Sequence, residues 1–195
     1  MIRRAEGRDL KDFVNLIYFS SGNVLDSALD YKAKAVLEFL FIKPHNLFSF
    51  KHTSCIESNN KIAAILLGYD FEENQQDSVN TGLLMVKKLK FSFIKILKNL
   101  LKAKRVIGIV REGEFYISNI AVYPEFRGMG LGTELMLHIE KNAIKKKNKS
   151  LSLDVEVQNE DAINLYKKLG FKIISDIKIL KLRETFKFYR MIKNL

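Results

Sequence analysis

Cysteine, histidine and proline are scarce in this chain, and each scarcity removes a class of protein. The single cysteine, Cys55, excludes an internal disulfide framework and points to a reducing compartment. Three histidines (His45, His52, His138) beside it make a poor set of zinc ligands, so no metal is expected. With 2 prolines and 10 glycines there is neither a collagen-like nor a low-complexity tract. The longest apolar runs, such as Ile62 to Leu67, fall far short of the roughly 20 residues a membrane span needs. The charged opening, Met1 to Arg8, lacks the apolar centre of a secretory leader, and a cytoplasmic location is expected.

What is present suits one domain: 195 residues can bury about two thirds of the surface of the unfolded chain, enough for an enzyme core. The formal net charge of +11 invites a nucleic-acid or acidic-membrane reading. That charge is local. From Leu83 to Arg111 there are nine basic residues and no acidic one, so the remainder of the chain is nearly balanced.

Hydropathy patterning predicts a short strand at Met1 to Arg4, a helix behind Asp9 carrying Leu10, Phe13, Val14 and Ile17, and a second helix from about Ser27 to Leu40 that stops at Lys43-Pro44. Phe48 to Glu57 and Lys61 to Tyr69 read as strands joined through Ser58-Asn59-Asn60, a hairpin signal. Phe93, Ile96, Leu97, Leu100 and Leu101 mark one face of an amphipathic basic helix. Strand Glu114 to Val122, helix Gly130 to Lys145, strand Leu151 to Val157, helix Glu160 to Leu169 and strands near Phe171 to Ile174 and Phe186 to Ile192 follow. Such alternation predicts an α/β (α+β) fold, one mixed sheet flanked by helices.

Two segments carry chemistry. Ile117 to Thr133 is a strand, a loop stopped by Pro124, and a glycine-rich turn opening a helix. Glycines at 128, 130 and 132 let backbone N–H groups converge beside Arg127, a cradle for a pyrophosphate. A dinucleotide-binding fold is the rival, since Asp154 follows at about the right distance. However, G-x-G-x-G followed by Thr133 is not G-x-G-x-x-G, and no G-K-[ST] follows. The second segment, Leu153 to Phe171, is a strand, an Asn159 cap, a short helix with Glu160 and Asp161 at its positive end, and a Gly170 stop. Tyr166 sits mid-helix, where a leucine would pack as well.

Together the halves resemble the GNAT superfamily of N-acetyltransferases. The motif [RQ]-x-x-G-x-G/A is met by Arg127, Gly130 and Gly132; N-x-x-A-x-x-x-Y-x-x-x-G-F is met by Asn159, Ala162, Tyr166, Gly170 and Phe171. The resemblance is firm over Gly113 to Phe171 and extends to Met1 to Leu16 and the hairpin. It misses the basic stretch, which reads as an insertion of about 75–112 between the third and fourth strands of one domain spanning 1–195.

The resemblance implies direct transfer of an acetyl group from acetyl-CoA, a cosubstrate, to a primary amine without a metal. It implies that backbone groups of Ile120, Ala121 and Val122 pair with the pantetheine arm. Arg127, Gly128, Met129, Gly130, Leu131, Gly132 and Thr133 would hold the pyrophosphate, and Asn159 and Tyr166 would face the thioester. Tyr166 is implied as proton donor to the departing thiolate. Asp154 matches the strand carboxylate of the ribosomal-protein alanine acetyltransferases and is the candidate base. Glu156 at i+2, Glu114 and a water chain are the alternatives. His138 is expected to be an exposed surface residue. The acceptor, a small molecule or a protein, is left open, as is oligomeric state. Two other readings are a catalytically silent CoA-binding module and a nucleic-acid or membrane-surface binder built on Leu83 to Arg111. Its position predicts that this stretch forms a helical lid or wall beside the acceptor entrance, apolar face docked and lysines outward.

Overall fold

The computed structural model describes residues 1–58 and 61–195. Its strands are β1 (Ile2–Arg4), β2 (Thr53–Ser58), β3 (Lys61–Asp70), β4 (Glu114–Val122), β5 (Ser150–Glu156), β6 (Lys172–Ile173), β7 (Lys178–Lys181) and β8 (Thr185–Asn194). They form one sheet in the order β1-β2-β3-β4-β5-β8-β6, with β7 also paired to β8. β4 and β5 run parallel, whereas the other described pairings are antiparallel. The helices are α1 (Leu10–Leu29), α2 (Ala33–Phe41), α3 (Phe71–Leu89), α4 (Ser92–Val106), α5 (Leu131–Lys145) and α6 (Glu160–Lys168).

The period-2 alternation of β5 divides its residues between two layers. Leu151, Leu153 and Val155 pack with Leu135, Met136, Ile139 and Ala143 of α5 and with Ile163 and Tyr166 of α6. On the opposite face Phe13, Leu16 and Ile17 of α1 and Leu37 and Phe41 of α2 cover Cys55, Ile65 and Leu67. A third cluster joins α1 and α2 to α3 and α4 through Ala28, Leu29, Val36, Leu40, Met85, Leu89 and Ile96. α3 and α4 therefore share a core with α1 and α2. Among the described residues no helix is long and apolar enough to cross a membrane.

Several boundaries differ from the sequence reading. α1 runs on to Leu29, and the next helix starts at Ala33 rather than Ser27, because Asp30 and Tyr31 both take left-handed φ (51° and 58°) and break the helix without a glycine. The stretch before β2 is a 3₁₀ turn at Phe50–His52, capped by the Ser49 hydroxyl accepting from Lys51 N–H. Asn59 and Asn60 of the expected hairpin lie outside the described residues. β6 covers only two residues, and β7 has no counterpart in the reading. Helix α3 has none either. Its start is a reciprocal cap, with Asp70 accepting from Glu73 N–H at 2.9 Å and Glu73 accepting from Asp70 N–H at 3.0 Å. Lys146 ties both carboxylates to α5 at 2.8 and 2.7 Å. Further along, Asp77 pairs with His52 at 2.7 Å, and the Thr81 hydroxyl accepts from Leu47 N–H at 2.9 Å.

Candidate active site

β4 and β5 part company midway. Their pairing runs from Glu114 opposite Ser150 to Ile117 opposite Leu153 and stops there, although β4 continues to Val122 and β5 to Glu156. A bulge in β4 lies at the fork. Gly68 of β3 faces Ile117 and Leu67 faces Asn119, leaving Ser118 as the extra residue. Gly68 is required there, since a Cβ would come within 2.7 Å of the Phe115 ring and 2.9 Å of the Tyr116 carbonyl. A bulge bends its strand and resets the alternation. Phe115 and Ile117 face the α5 and α6 layer before it, as Ile120 and Val122 do after it, while Ala121 faces the α1 layer. Ile120, Ala121 and Val122 thus sit on a strand that has left its parallel neighbour and borders an open wedge.

The wedge leads to the glycine turn. Gly128 and Gly130 have φ of 77° and 76°, values that cost an L-residue with a Cβ about 1–2 kcal/mol. Gly130 caps α5 without a side chain, and Glu134 N–H is the first amide of this turn to reach an intrahelical acceptor, the Gly130 carbonyl, at 3.0 Å. The amides of Leu131, Gly132 and Thr133 therefore face the cleft at the positive end of a 15-residue helix. This is the donor set a diphosphate requires. Met129, between the two glycines, is 62% exposed and does not line the cleft. The Arg127 guanidinium lies over the Phe19 ring of α1, 4.9 Å from its centroid.

Across the wedge stands α6. Asn159 accepts from Ala162 N–H at 3.2 Å and caps the helix. Tyr166, one helix face further on, leans on Phe171 with ring centroids 5.9 Å apart and borders the cleft. Burial pushes its phenol up to about 12, so it remains protonated at physiological pH.

The three candidate carboxylates have unlike surroundings. Asp154 accepts from the Tyr116 hydroxyl (3.1 Å), the Gly108 N–H (3.0 Å), Lys178 (3.1 Å) and Arg190 (3.2 Å). Glu114 is buried against Arg190 at 2.6 Å and also accepts from Ser152 and the Arg111 N–H. Glu156 borders the cleft with no hydrogen bond or ion pair among the described residues, and burial raises its pKa above the ordinary glutamate value. Arg190, Tyr116 and Lys178 escaped the sequence reading. Arg190 had a legible signal: it shares the inward parity of Phe186 and Phe188, where a charge needs buried carboxylates as partners. His138 is half-buried rather than exposed. Its Nε2 lies 2.9 Å from Asn142 Nδ2, and burial first, then Lys145 and Lys141, lower its pKa.

Wedge, glycine turn, Tyr166, Asp154 and Glu156 all open into one cleft of about 1640 Å³. An ordinary small-ligand pocket holds roughly 300–1,000 Å³, so two ligands can share this one. Its far end is walled by α3 and α4. There the apolar face of α4 is docked in part: Ile96 is buried with Phe93 and Leu100 packed beside it, but Leu97 and Leu101 stay 39% and 49% exposed along the cleft. Among the described residues no group of three or more His, Cys, Asp or Glu side chains could hold a metal ion.

Residues 25–171 match the family model described as Acetyltransferase (GNAT) family. An N-alpha-acetyltransferase of Sulfurisphaera tokodaii is 39% identical over 80 residues, 40% of this chain and 44% of that protein. The chain spans less than half the length of the curated relatives it matches. A solved N-acetyltransferase of Staphylococcus aureus Mu50 superposes with a TM-score of 0.67 at 21% identity, covering 98% of this chain and 99% of the other. The PaiA N-acetyltransferase of Thermoplasma acidophilum, solved in complex with coenzyme A, superposes with a TM-score of 0.57 at 13% identity over 100% of this chain and 98% of the other.

Proposed function

The chain belongs to the GNAT acetyltransferase family, and from that premise we propose that it moves the acetyl group of acetyl-CoA directly onto a primary amine. The observation that carries this reading is the fork of β4 and β5 beside the uncapped amides of α5. Ile120, Ala121 and Val122 would hold the pantetheine arm on the free β4 edge. Arg127, Gly128 and Gly130 to Thr133 would hold the diphosphate, with Met129 adding no side chain. Asn159 and Tyr166 flank the thioester end. Acetyl-CoA supplies an activated acyl carbon and a good leaving group; everything else falls to the chain.

As the N–C bond forms and the C–S bond breaks, the amine gives up a proton and the sulfur takes one. Tyr166, with a phenol near 12, is a hydrogen-bond donor to the departing sulfur. Full proton transfer from so weak an acid to a thiolate of ordinary basicity, roughly 8.5, is uphill, so donation precedes protonation. Asp154, with both oxygens occupied by Tyr116, Gly108, Lys178 and Arg190, serves to fix the floor of the site and the charge beneath the amine. Glu156 has free lone pairs and a raised pKa, closer to working pH, and receives the amine proton directly or through one water.

The test is release of free thiol from acetyl-CoA over a panel of α-amines, lysine peptides, polyamines and simple alkylamines. Amine-dependent release with a mass gain of one acetyl group on the acceptor supports the reading. Tight acetyl-CoA binding with no release over the whole panel would leave a silent CoA-binding module.

A further inference from the structure

Resting on that acetyl-transfer reading, we propose that the acceptor carries its amine on an apolar body, which lies in a chamber walled by α1, α3 and α4. The three helices each turn one face toward the same space. After a kink at Ser21 (φ −153°, ψ 20°), α1 presents Val24, Leu25 and Ala28. The kink is held open by Asn119, next to the β4 bulge, which donates to the hydroxyls of Ser20 and Ser21 at 3.0 Å each. α4 presents Phe93, Leu97, Leu100 and Leu101, and α3 contributes Met85 beside Thr81 and Gly82.

Leu97 and Leu101 lie on the apolar face of α4, and while Ile96 of that face enters the core, these two leucines meet the cleft. Water against such a face is readily displaced by an apolar ligand. Three of the lysines that give the segment its charge stay outside: Lys95 and Lys98 are exposed, and Lys102 donates to the Lys181 carbonyl at 3.2 Å. Lys104 is the one basic residue of Leu83 to Arg111 that borders the cleft among the described residues.

The orientation of the acceptor follows from the chamber's inner end. Gly108, two residues past α4, donates to Asp154 at 3.0 Å, so the α4 wall and the strand carboxylates adjoin. An amine at Asp154 and Glu156 leaves the rest of its molecule among Val24, Leu25, Leu97 and Leu101. Polycationic amines, by contrast, would set further charges against leucine.

The experiment compares n-alkylamines from ethyl to octyl, with spermidine as the polar counterpart. Two readings are taken: kcat/KM by thiol release with acetyl-CoA, and calorimetric affinity for the CoA-saturated protein. Both should climb about three- to fourfold per methylene, the factor one buried CH₂ supplies, until the chamber is full. Leu97→Asn with Leu101→Asn should flatten the climb, and Leu101→Phe should move the optimum to a shorter chain. The acetyl-CoA thermal shift reports that each variant is folded; both leucines are partly exposed, which favours this. A flat dependence on acceptor length, a slope unchanged in the variants, or spermidine as best acceptor overturns the proposal. So does a chain-length preference that appears with butyryl- and octanoyl-CoA and not with the amines, which would give the chamber to the donor. If affinity climbs with length but no amine is acetylated, the acetyl-transfer reading fails and the apolar chamber stands.

Discussion

Tyr166, Glu156 and Asp154 have separable effects because their surroundings differ. Tyr166→Phe removes the hydroxyl proposed to act on the departing sulfur and keeps the ring on Phe171, so kcat should fall by about 10²- to 10⁴-fold with acetyl-CoA affinity nearly intact. Unchanged turnover would return the residue to packing. For Glu156, burial raises the folded-state pKa above that of the unfolded chain. The stability this contributes is fully present below the unfolded pKa and lost as pH rises through the folded one. Glu156→Gln should therefore be more stable than wild type near neutrality and show no gain in acid. As the base, Glu156 must be ionised, so kcat/KM should rise with pH through its titration, and the Gln variant should lose that limb. Asp154→Asn should instead keep the limb and lose about 3 kcal/mol of stability, because Arg190 and Lys178 surrender a buried partner. A limb lost in Asp154→Asn and kept in Glu156→Gln would exchange the two roles.

At the scale of elements, the segments around the cleft were legible because each is punctuated by residues with one physical use. Glu114–Val122 and Leu131–Lys145 fall where alternation, Pro124 and the glycines put them. Gly130→Val isolates that punctuation. A branched Cβ at φ 76° should cost about 1–2 kcal/mol in the turn and, by redirecting the α5 amides, abolish stabilisation by acetyl-CoA. Retention of the thermal shift would place the diphosphate elsewhere. Helix α3 was illegible for the opposite reason. Its buried positions are Asp77, Thr81, Met85 and Leu89, and half of its docking runs through His52, Lys146 and the Leu47 amide, so no apolar stripe marks it. The Ser118 bulge was equally hidden, since an extra residue in β4 reveals itself only against the register of β3. The break at Asp30 and Tyr31 lacks the glycine that normally announces a left-handed stop.

For the whole molecule, α3 and α4 set the outer wall of the cleft. β4, β5 and α5 supply the fork and the glycine turn, while α3 and α4 add the far wall of the cleft, and the stretch from Leu83 to Arg111 carries nine basic residues and no acidic one. Under the proposed function, an anionic cosubstrate would be favoured by that charge at long range and recognised at short range by the α5 amides, two contributions that salt separates. A Debye length of about 8 Å at physiological ionic strength, falling to about 3 Å at 1 M, screens the exposed lysines but not the amides within the turn. Acetyl-CoA at about 100 times Kd should stabilise the fold by about 2.7 kcal/mol, which for a domain of this size raises Tm by roughly 5–10 °C. ATP at the same concentration carries a comparable phosphate charge and NAD carries the diphosphate alone, but neither has a pantetheine arm for the β4 edge, and both should shift Tm much less. Raising salt should trim the acetyl-CoA shift without erasing it, and Lys95→Gln with Lys98→Gln should reproduce that trimming at low salt. Equal shifts from acetyl-CoA and ATP, vanishing together in high salt, would mean that charge alone is being read. A shift that survives salt and is selective for acetyl-CoA requires the fork of β4 and β5 to be occupied.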